Sequence, residues 1–142
     1  MNTTDQILFQ ASLLDGIGPK SLSSLALKVG ECADLQALAE KDSRLKKALE
    51  KKPEVFALAE EQLEKAAEHE IVLLPRGSAN YPSLLAMTPD APYFVFAKGN
   101  LEALDQGTIA VVGSRAASER AIKISQRLAE HCVSRNYAVL SG

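Results

Sequence analysis

Two short stretches hold the residue types that can grip a phosphate. The first is Val111-Val112-Gly113-Ser114-Arg115, running on to Ser118. Gly113 allows a tight turn and close ligand approach, Ser114 supplies a hydroxyl, and Arg115 offers a two-pronged guanidinium that matches phosphate geometry. Ser118 is placed to cap a helix whose N-terminus favours anions. The turn follows an apolar run, at the strand end where open α/β sheets bind their ligands. Its spacing is neither GxGxxG nor GxxxxGK[ST], which excludes a dinucleotide fingerprint and a nucleotide-hydrolysing phosphate loop. Beyond it, Arg120, Lys123 and Arg127 extend positive charge along one rim of the helix. An ordinary strand–helix turn with a surface arginine is the plainer alternative. The agreement of position, helix dipole and charge favours phosphate binding.

The second stretch is Leu13-Leu14-Asp15-Gly16-Ile17-Gly18-Pro19-Lys20, a Gly-hydrophobic-Gly turn between two helical patterns. It looks like a helix-hairpin-helix motif, in which Gly16 and Gly18 would let the backbone approach a nucleic-acid phosphate and Lys20 would add charge. The alternative is a tight helical hairpin whose Ile17 plugs the core. Asp15 and the acidic surroundings favour the packing role.

Elsewhere the residues offer little for catalysis. His69 and His131 lie on amphipathic helical patterns without a partnered nucleophile or metal-ligand spacing. Glu60, Glu61, Glu64 and Glu68 read as a solvated helix face. Tyr81, Tyr93, Phe94 and Phe96 could stack on bases, but Phe94 and Phe96 sit in an apolar strand pattern and suit core packing better. Cys32 and Cys132 are far apart, with no zinc-like spacing nearby, and read as reduced, buried residues. No enzyme activity, metal or cofactor is expected.

The elements that must position these groups follow from composition and periodicity. The chain has 142 residues, with 16 Lys+Arg, 18 Asp+Glu, 46% hydrophobic residues, 8 Gly and 6 Pro, which is globular rather than disordered or fibrous. No stretch approaches the roughly 20 apolar residues of a membrane span, and MNTTDQILFQ lacks the marks of a secretory signal. A cytoplasmic protein without membrane association is expected. Residues 1–70 hold 9 basic and 13 acidic residues, whereas residues 71–142 hold 7 and 5. A local basic patch can attract phosphates even on a slightly acidic protein.

From Thr3 to about Glu70 apolar residues recur at helical spacing. Thr3 or Thr4 would cap a first helix ending at Asp15-Gly16, and Pro19 would open a second closed by Gly30. Helical segments follow at Asp34–Glu40 and Asp42–Lys51, and Pro53 opens a longer one. At Ile71 the pattern changes to the apolar runs IVLL, PYFVFA and TIAVV, which read as buried strands. Pro75–Pro92 reads as an irregular connection. The order strand Thr108–Val112, turn, helix Glu119–Ser134, strand Tyr137–Ser141 is a βαβ unit of a parallel sheet. The expectation is an α + α/β protein: a helical domain over 1–70, then an α/β domain over 71–142. Ser141-Gly142 falls where a second phosphate-facing loop would begin, so the α/β domain reads as incomplete.

The order of these pieces resembles the DNA-processing protein A (DprA/Smf) family. The residues that carry the resemblance are the Gly-Ile-Gly-Pro hairpin, Tyr81-Pro82-Ser83-Leu84-Leu85, Asp90-Ala91-Pro92, Lys98-Gly99-Asn100, Ile109-Ala110-Val111-Val112-Gly113-Ser114-Arg115 and Leu140-Ser141-Gly142. The resemblance implies a sterile-alpha-motif-like (SAM-like) or helix-hairpin-helix N-terminal domain followed by a Rossmann-like domain. It also implies single-stranded DNA binding without chemistry, protection of DNA taken up in natural transformation (competence), and loading of the RecA recombinase. Gly113, Ser114 and Arg115 would lie in a basic pocket holding DNA phosphates, and the full-length protein would form a homodimer. Where many members continue with a Ser-x-Tyr-Gly step, this chain reads Ser118-Glu119-Arg120-Ala121, which implies a differently shaped pocket. The function expected is a single-stranded-DNA-binding recombination mediator. The rival is a Rossmann-like protein or enzyme for a nucleotide or small phosphorylated ligand.

Overall fold

The structure is a computed structural model and describes residues 1–141. The expectation attached to Gly142 lies outside the described residues. Packing divides the chain into two compact units, Met1–Gly99 and Asn100–Gly142. The change of sequence pattern at residue 71 thus marks a change of secondary structure, while the units divide later.

The first unit begins with α1 (Thr3–Ser12) and α2 (Pro19–Ala26), followed by a 3₁₀ turn at Val29–Glu31. Next come α3 (Leu35–Glu40), α4 (Ser43–Lys51) and α5 (Val55–Glu68). Local chemistry sets most of these boundaries. Asp34 caps α3 by accepting from the Ala37 amide at 2.8 Å, Asp42 caps α4 through the amides of Arg44 and Leu45, and Pro19 occupies the first turn of α2. At α1 the cap is Asn2 rather than Thr3 or Thr4, its Oδ1 accepting from the Asp5 amide at 2.8 Å. The helix also ends earlier than expected, at Ser12, because the Leu13 and Leu14 amides turn back to the carbonyls of Gln10 and Ala11. Gly30 does not close α2; it sits inside the 3₁₀ turn after α2 has ended at Ala26.

Leu8, Leu25, Leu35, Leu38, Leu45 and Val55 fill the centre of this unit, each at most 2% exposed. Every such side chain contributes about 1.5–3 kcal/mol of apolar burial. Strands β1 (Ile71–Pro75) and β2 (Phe94–Lys98) form an antiparallel ribbon, with Leu73 opposite Phe96. Phe9 of α1 meets Phe94 edge-to-face at 5.5 Å and Phe96 at 6.0 Å, which ties the ribbon to the helices. The connection between the strands contains one short helix, α6 (Ser83–Ala86). Tyr81 is buried there and donates its hydroxyl to the Pro92 carbonyl, so it is an anchor rather than a stacking platform. Burial raises its pKa.

The second unit has a 3₁₀ turn (Leu101–Asp105), β3 (Thr108–Ala110), α7 (Glu119–Ser134) and β4 (Ala138–Leu140). β3 and β4 pair in parallel, Ile109 opposite Val139, which is the βαβ unit read from the sequence. Among the described residues, the chain from Ile71 onward therefore forms two separate two-stranded sheets, of which the second is parallel. Both strands are shorter than expected. The Val111 amide still reaches the Leu140 carbonyl at 2.8 Å, but Val112 is 83% exposed. Neither β3 nor β4 holds a buried residue, and Cys32 is half-buried, whereas Cys132 is buried. Among the described residues β3 and β4 have only each other as strand partners, which leaves both edges of the pair open. Gly107 lies against Tyr137, so a Cβ there would come within 2.9 Å of the half-exposed ring and oblige it to shift. Among the described residues, the mixture of seven α-helices and two small sheets makes this an α+β fold.

Candidate functional site

The Gly113–Ser118 turn leads from β3 to the first residue of α7. Ser118 has extended backbone and its Oγ accepts from the Ala121 amide at 3.3 Å, so it caps α7 as its position in the sequence suggests. Ser114 Oγ accepts from the Ala116 amide at 3.2 Å and folds the turn on itself. Gly113 is outside the left-handed region, and a Cβ there would meet nothing within 4 Å. The turn can hold its own shape without a glycine; the open space over Gly113 is what a ligand could use.

A concavity of about 670 Å³ lies over this turn, lined by Gly113, Ser114, Ser118 and the small residues Ala121, Ser125 and Ala129 of α7. These positions recur every four residues, so they form one side of the helix. Ser125 and Ala129 are half-buried on that side, and Cys132, one turn further along, is fully buried. Small residues here leave room for a ligand beside the helix N-terminus, where amides and dipole favour an anion. Arg115 is exposed and does not line the concavity; its guanidinium is free to reach toward a ligand from outside.

Arg120, Lys123 and Arg127 come together with Glu119 and Ile124 along a separate groove of about 480 Å³. The three cations stand at i, i+3 and i+7, which aligns them on one helix face. That face differs from the one lined by Ala121, Ser125 and Ala129. The structure thus gathers the capping and hydroxyl groups at the turn and gathers the basic side chains along a second face of α7. Ser141, which the sequence places where a second phosphate-facing loop would begin, also lines the turn concavity, as does Ser125, which was not singled out from sequence. The seven-residue interval from Ser118 to Ser125 was the available signal, because it is two helical turns.

The hairpin candidates lie in the first unit. Gly16 has φ +78°, a conformation that favours glycine, while Gly18 is extended at φ −92° and precedes Pro19 as the N-cap of α2. Ile17 between them is buried in the helical core, as the packing alternative required. Lys20 is exposed and pairs with Asp90 at 3.5 Å, which offsets the charge it would bring to a phosphate. His131 is exposed on α7, whereas His69 is exposed just past the end of α5, as its C-cap, rather than on the helix.

No helix among the described residues is long and apolar enough to cross a membrane. No curated protein matches the chain. Residues 72–142 match the family described as DNA recombination-mediator protein A. The match starts beside the change of pattern at residue 71 and takes in both strands of the ribbon, the Gly113–Ser118 turn and α7. It spans half of the chain, and the protein belongs to the DNA recombination-mediator protein A family.

Proposed function

We propose that the protein binds single-stranded DNA and acts as a recombination mediator, with the Gly113–Ser118 turn as its phosphate site. The observation that carries this reading is the placement of a serine-capped helix N-terminus, an open glycine and a free arginine within the segment that matches the family. Gly113, Ser114 and Ser118 receive the phosphate, Arg115 clamps it from the exposed side, and Arg120, Lys123 and Arg127 attract the neighbouring backbone. Gly16, Gly18 and Lys20 are at most an accessory contact. In this reading residues 1–70 are a SAM-like or helix-hairpin-helix domain and residues 71–142 belong to a Rossmann-like domain. The protein works in the cytoplasm, during DNA uptake, with RecA recombinase and a second copy of itself as partners. It performs no chemistry on the DNA.

Fluorescence anisotropy of a labelled single-stranded oligonucleotide over a salt series tests the reading. Arg115→Ala should weaken binding on the order of tenfold to a hundredfold, the worth of a charge-assisted contact. It should also flatten the log–log salt slope by about 0.7, the share of one single-strand phosphate. An Arg115→Ala protein that binds like the parent overturns the pocket assignment. The 670 Å³ concavity favours one second reading, a small phosphorylated ligand. Competition by a mononucleotide as effective as by the oligonucleotide, per phosphate, would select it.

A further inference from the structure

We infer that α4 carries a second contact for a nucleic-acid backbone, formed by Arg44, Lys47 and Lys51. The inference rests on the DNA-binding reading above and adds a site in the other unit of the chain. The three residues stand at i, i+3 and i+7 of one nine-residue helix and are all exposed. They line a single concavity of about 440 Å³ together with Lys52, and Asp15 is the one carboxylate among its lining residues.

What sets this face apart is how the other lysines around it are used. Lys28 pairs with Asp42, Lys41 with Glu31, Lys46 with Glu40 and Lys65 with Glu61. Lys46 lies on α4 itself, so one face of this helix is neutralised internally and the other is not. Among the described residues, Arg44, Lys47 and Lys51 enter none of the ion pairs. The arrangement is also unfavourable locally. Lys47 and Lys51 are like charges four residues apart, and Arg44 sits in the first turn, where the helix dipole opposes a cation. Lys51, in the last turn, is the one member that the dipole favours. Helix stability therefore does not account for the stripe, whereas a polyanion would relieve both repulsions.

The stripe is held in place from below. Leu45 is fully buried, and Lys52 donates to the Leu13 carbonyl at 2.9 Å, fixing the end of α4 to the turn after α1. From Arg44 to Lys51 the helix rises about 10 Å, enough to meet more than one phosphate of a single strand. The groove contributes cations and no aromatic or base-edge groups among its lining residues, so its ligand is backbone phosphate read without sequence. This face, rather than Lys20 with its Asp90 partner, is where the helical unit would touch DNA.

The test uses the 142-residue chain and a labelled oligothymidylate in a salt series. The variant Arg44→Gln, Lys47→Gln, Lys51→Gln should bind about tenfold or more weakly and lose about 2 from its salt slope, three single-strand phosphate contacts. The control Lys41→Gln, Lys46→Gln, Lys65→Gln removes equal charge from paired lysines and should leave the slope nearly unchanged. Equal effects of the two triple variants on a parent that binds overturn the α4 site and leave the turn reading intact. A parent that binds no single strand overturns both. Polyglutamate competing as well as oligothymidylate, per charge, overturns the nucleic-acid assignment in favour of an acidic protein partner. Acetylation footprinting of the unsubstituted protein supplies a readout independent of variant folding. Protection of Lys47 and Lys51 by oligothymidylate, with Lys41 unchanged, is expected, and unprotected Lys47 and Lys51 on a protein that binds overturn the site.

Discussion

The two units of the chain hold their shapes by different means. In residues 1–99 the helices and the antiparallel ribbon close over a continuous apolar core, in which Leu8, Leu35, Leu38, Leu45 and Val55 are fully buried. In the second unit, among the described residues, Cys132 is the one buried residue, and Ile122, Ile124, Leu128, Val133 and Leu140 are exposed. Its shape comes from local devices instead: the Ser118 cap, the Ser114 turn, three residue pairs of parallel ladder, and Asn136 at φ 62° ending α7. The unit that carries the phosphate turn is thus the one with the smaller core. A binding turn built from caps and backbone amides needs little burial to be shaped, but it gains little rigidity from its surroundings.

Core substitution should expose this difference most strongly. Leu38→Ala in the first unit should cost about 2–5 kcal/mol, the usual loss for a fully buried leucine. Leu128→Ala on α7, where the leucine is 43% exposed, should cost less than about 1 kcal/mol. Urea unfolding followed by circular dichroism measures both. Equal losses would mean that Leu128 is covered in solution, and the contrast between the units would fail.

The same contrast explains what the sequence made legible. The Ser118 cap, the Pro19 helix start, the α7 limits Glu119–Ser134 and the parallel βαβ order are encoded within a few residues of themselves, so they could be read. The α1 cap was misplaced because Asn2, Thr3 and Thr4 are adjacent residues that can all cap. The change at residue 71 was visible because strand and helix periodicities differ. The ribbon's attachment to the helices was not, because it depends on Phe9 meeting Phe94 and Phe96 across more than eighty residues of chain. Strand lengths in the second unit were overestimated for a related reason. Apolar runs announce strands, whereas ladder length depends on the partner. At the site, the turn was legible and the sidedness of α7 was only half so. Periodicity aligns Arg120, Lys123 and Arg127, but the opposite placement of the turn concavity needs the helix seated on its strands. The α4 stripe has the same spacing and was hidden by the acidic balance of the first 70 residues, since spacing does not reveal which lysines are already paired.

A cap in the well-packed unit gives a sharper, intermediate test. Asp42 caps α4 and accepts from Lys28 Nζ at 3.0 Å. The Lys28 hydrogen bond, seconded by the Leu45 amide and opposed by partial burial, lowers its pKa from the ordinary 3.8. The sign follows directly. A carboxylate with a lower pKa in the folded than in the unfolded state stabilises the fold above the unfolded value, and that contribution is lost as pH falls through the folded value. Asp42→Ala should cost about 1 kcal/mol at pH 7. Asp42→Asn should cost less, because the side-chain oxygen still caps, and should lose less stability than the parent when urea midpoints are compared at pH 7 and pH 3. An Asp42→Asn protein with the parent's full acid sensitivity would place the titrating group elsewhere.

The smallest effect belongs to the hairpin, where the two units' binding roles are compared most directly. Lys20 and Asp90 hold their 3.5 Å pair with 86% and 78% of their side chains exposed, so solvent screens the attraction almost completely. Lys20→Ala should leave the melting temperature unchanged within measurement error. In the anisotropy assay it should lower oligonucleotide affinity less than Arg115→Ala does, because its charge is already offset by Asp90, whereas Arg115 belongs to none of the ion pairs among the described residues. Asp90→Asn separates the two possible causes of a weak effect. If it raises affinity and the rise disappears with Lys20→Ala, the carboxylate is what silences Lys20. If Lys20→Ala instead matches or exceeds Arg115→Ala, the hairpin is the principal phosphate contact, and the smaller-cored unit loses the role that its turn geometry gives it.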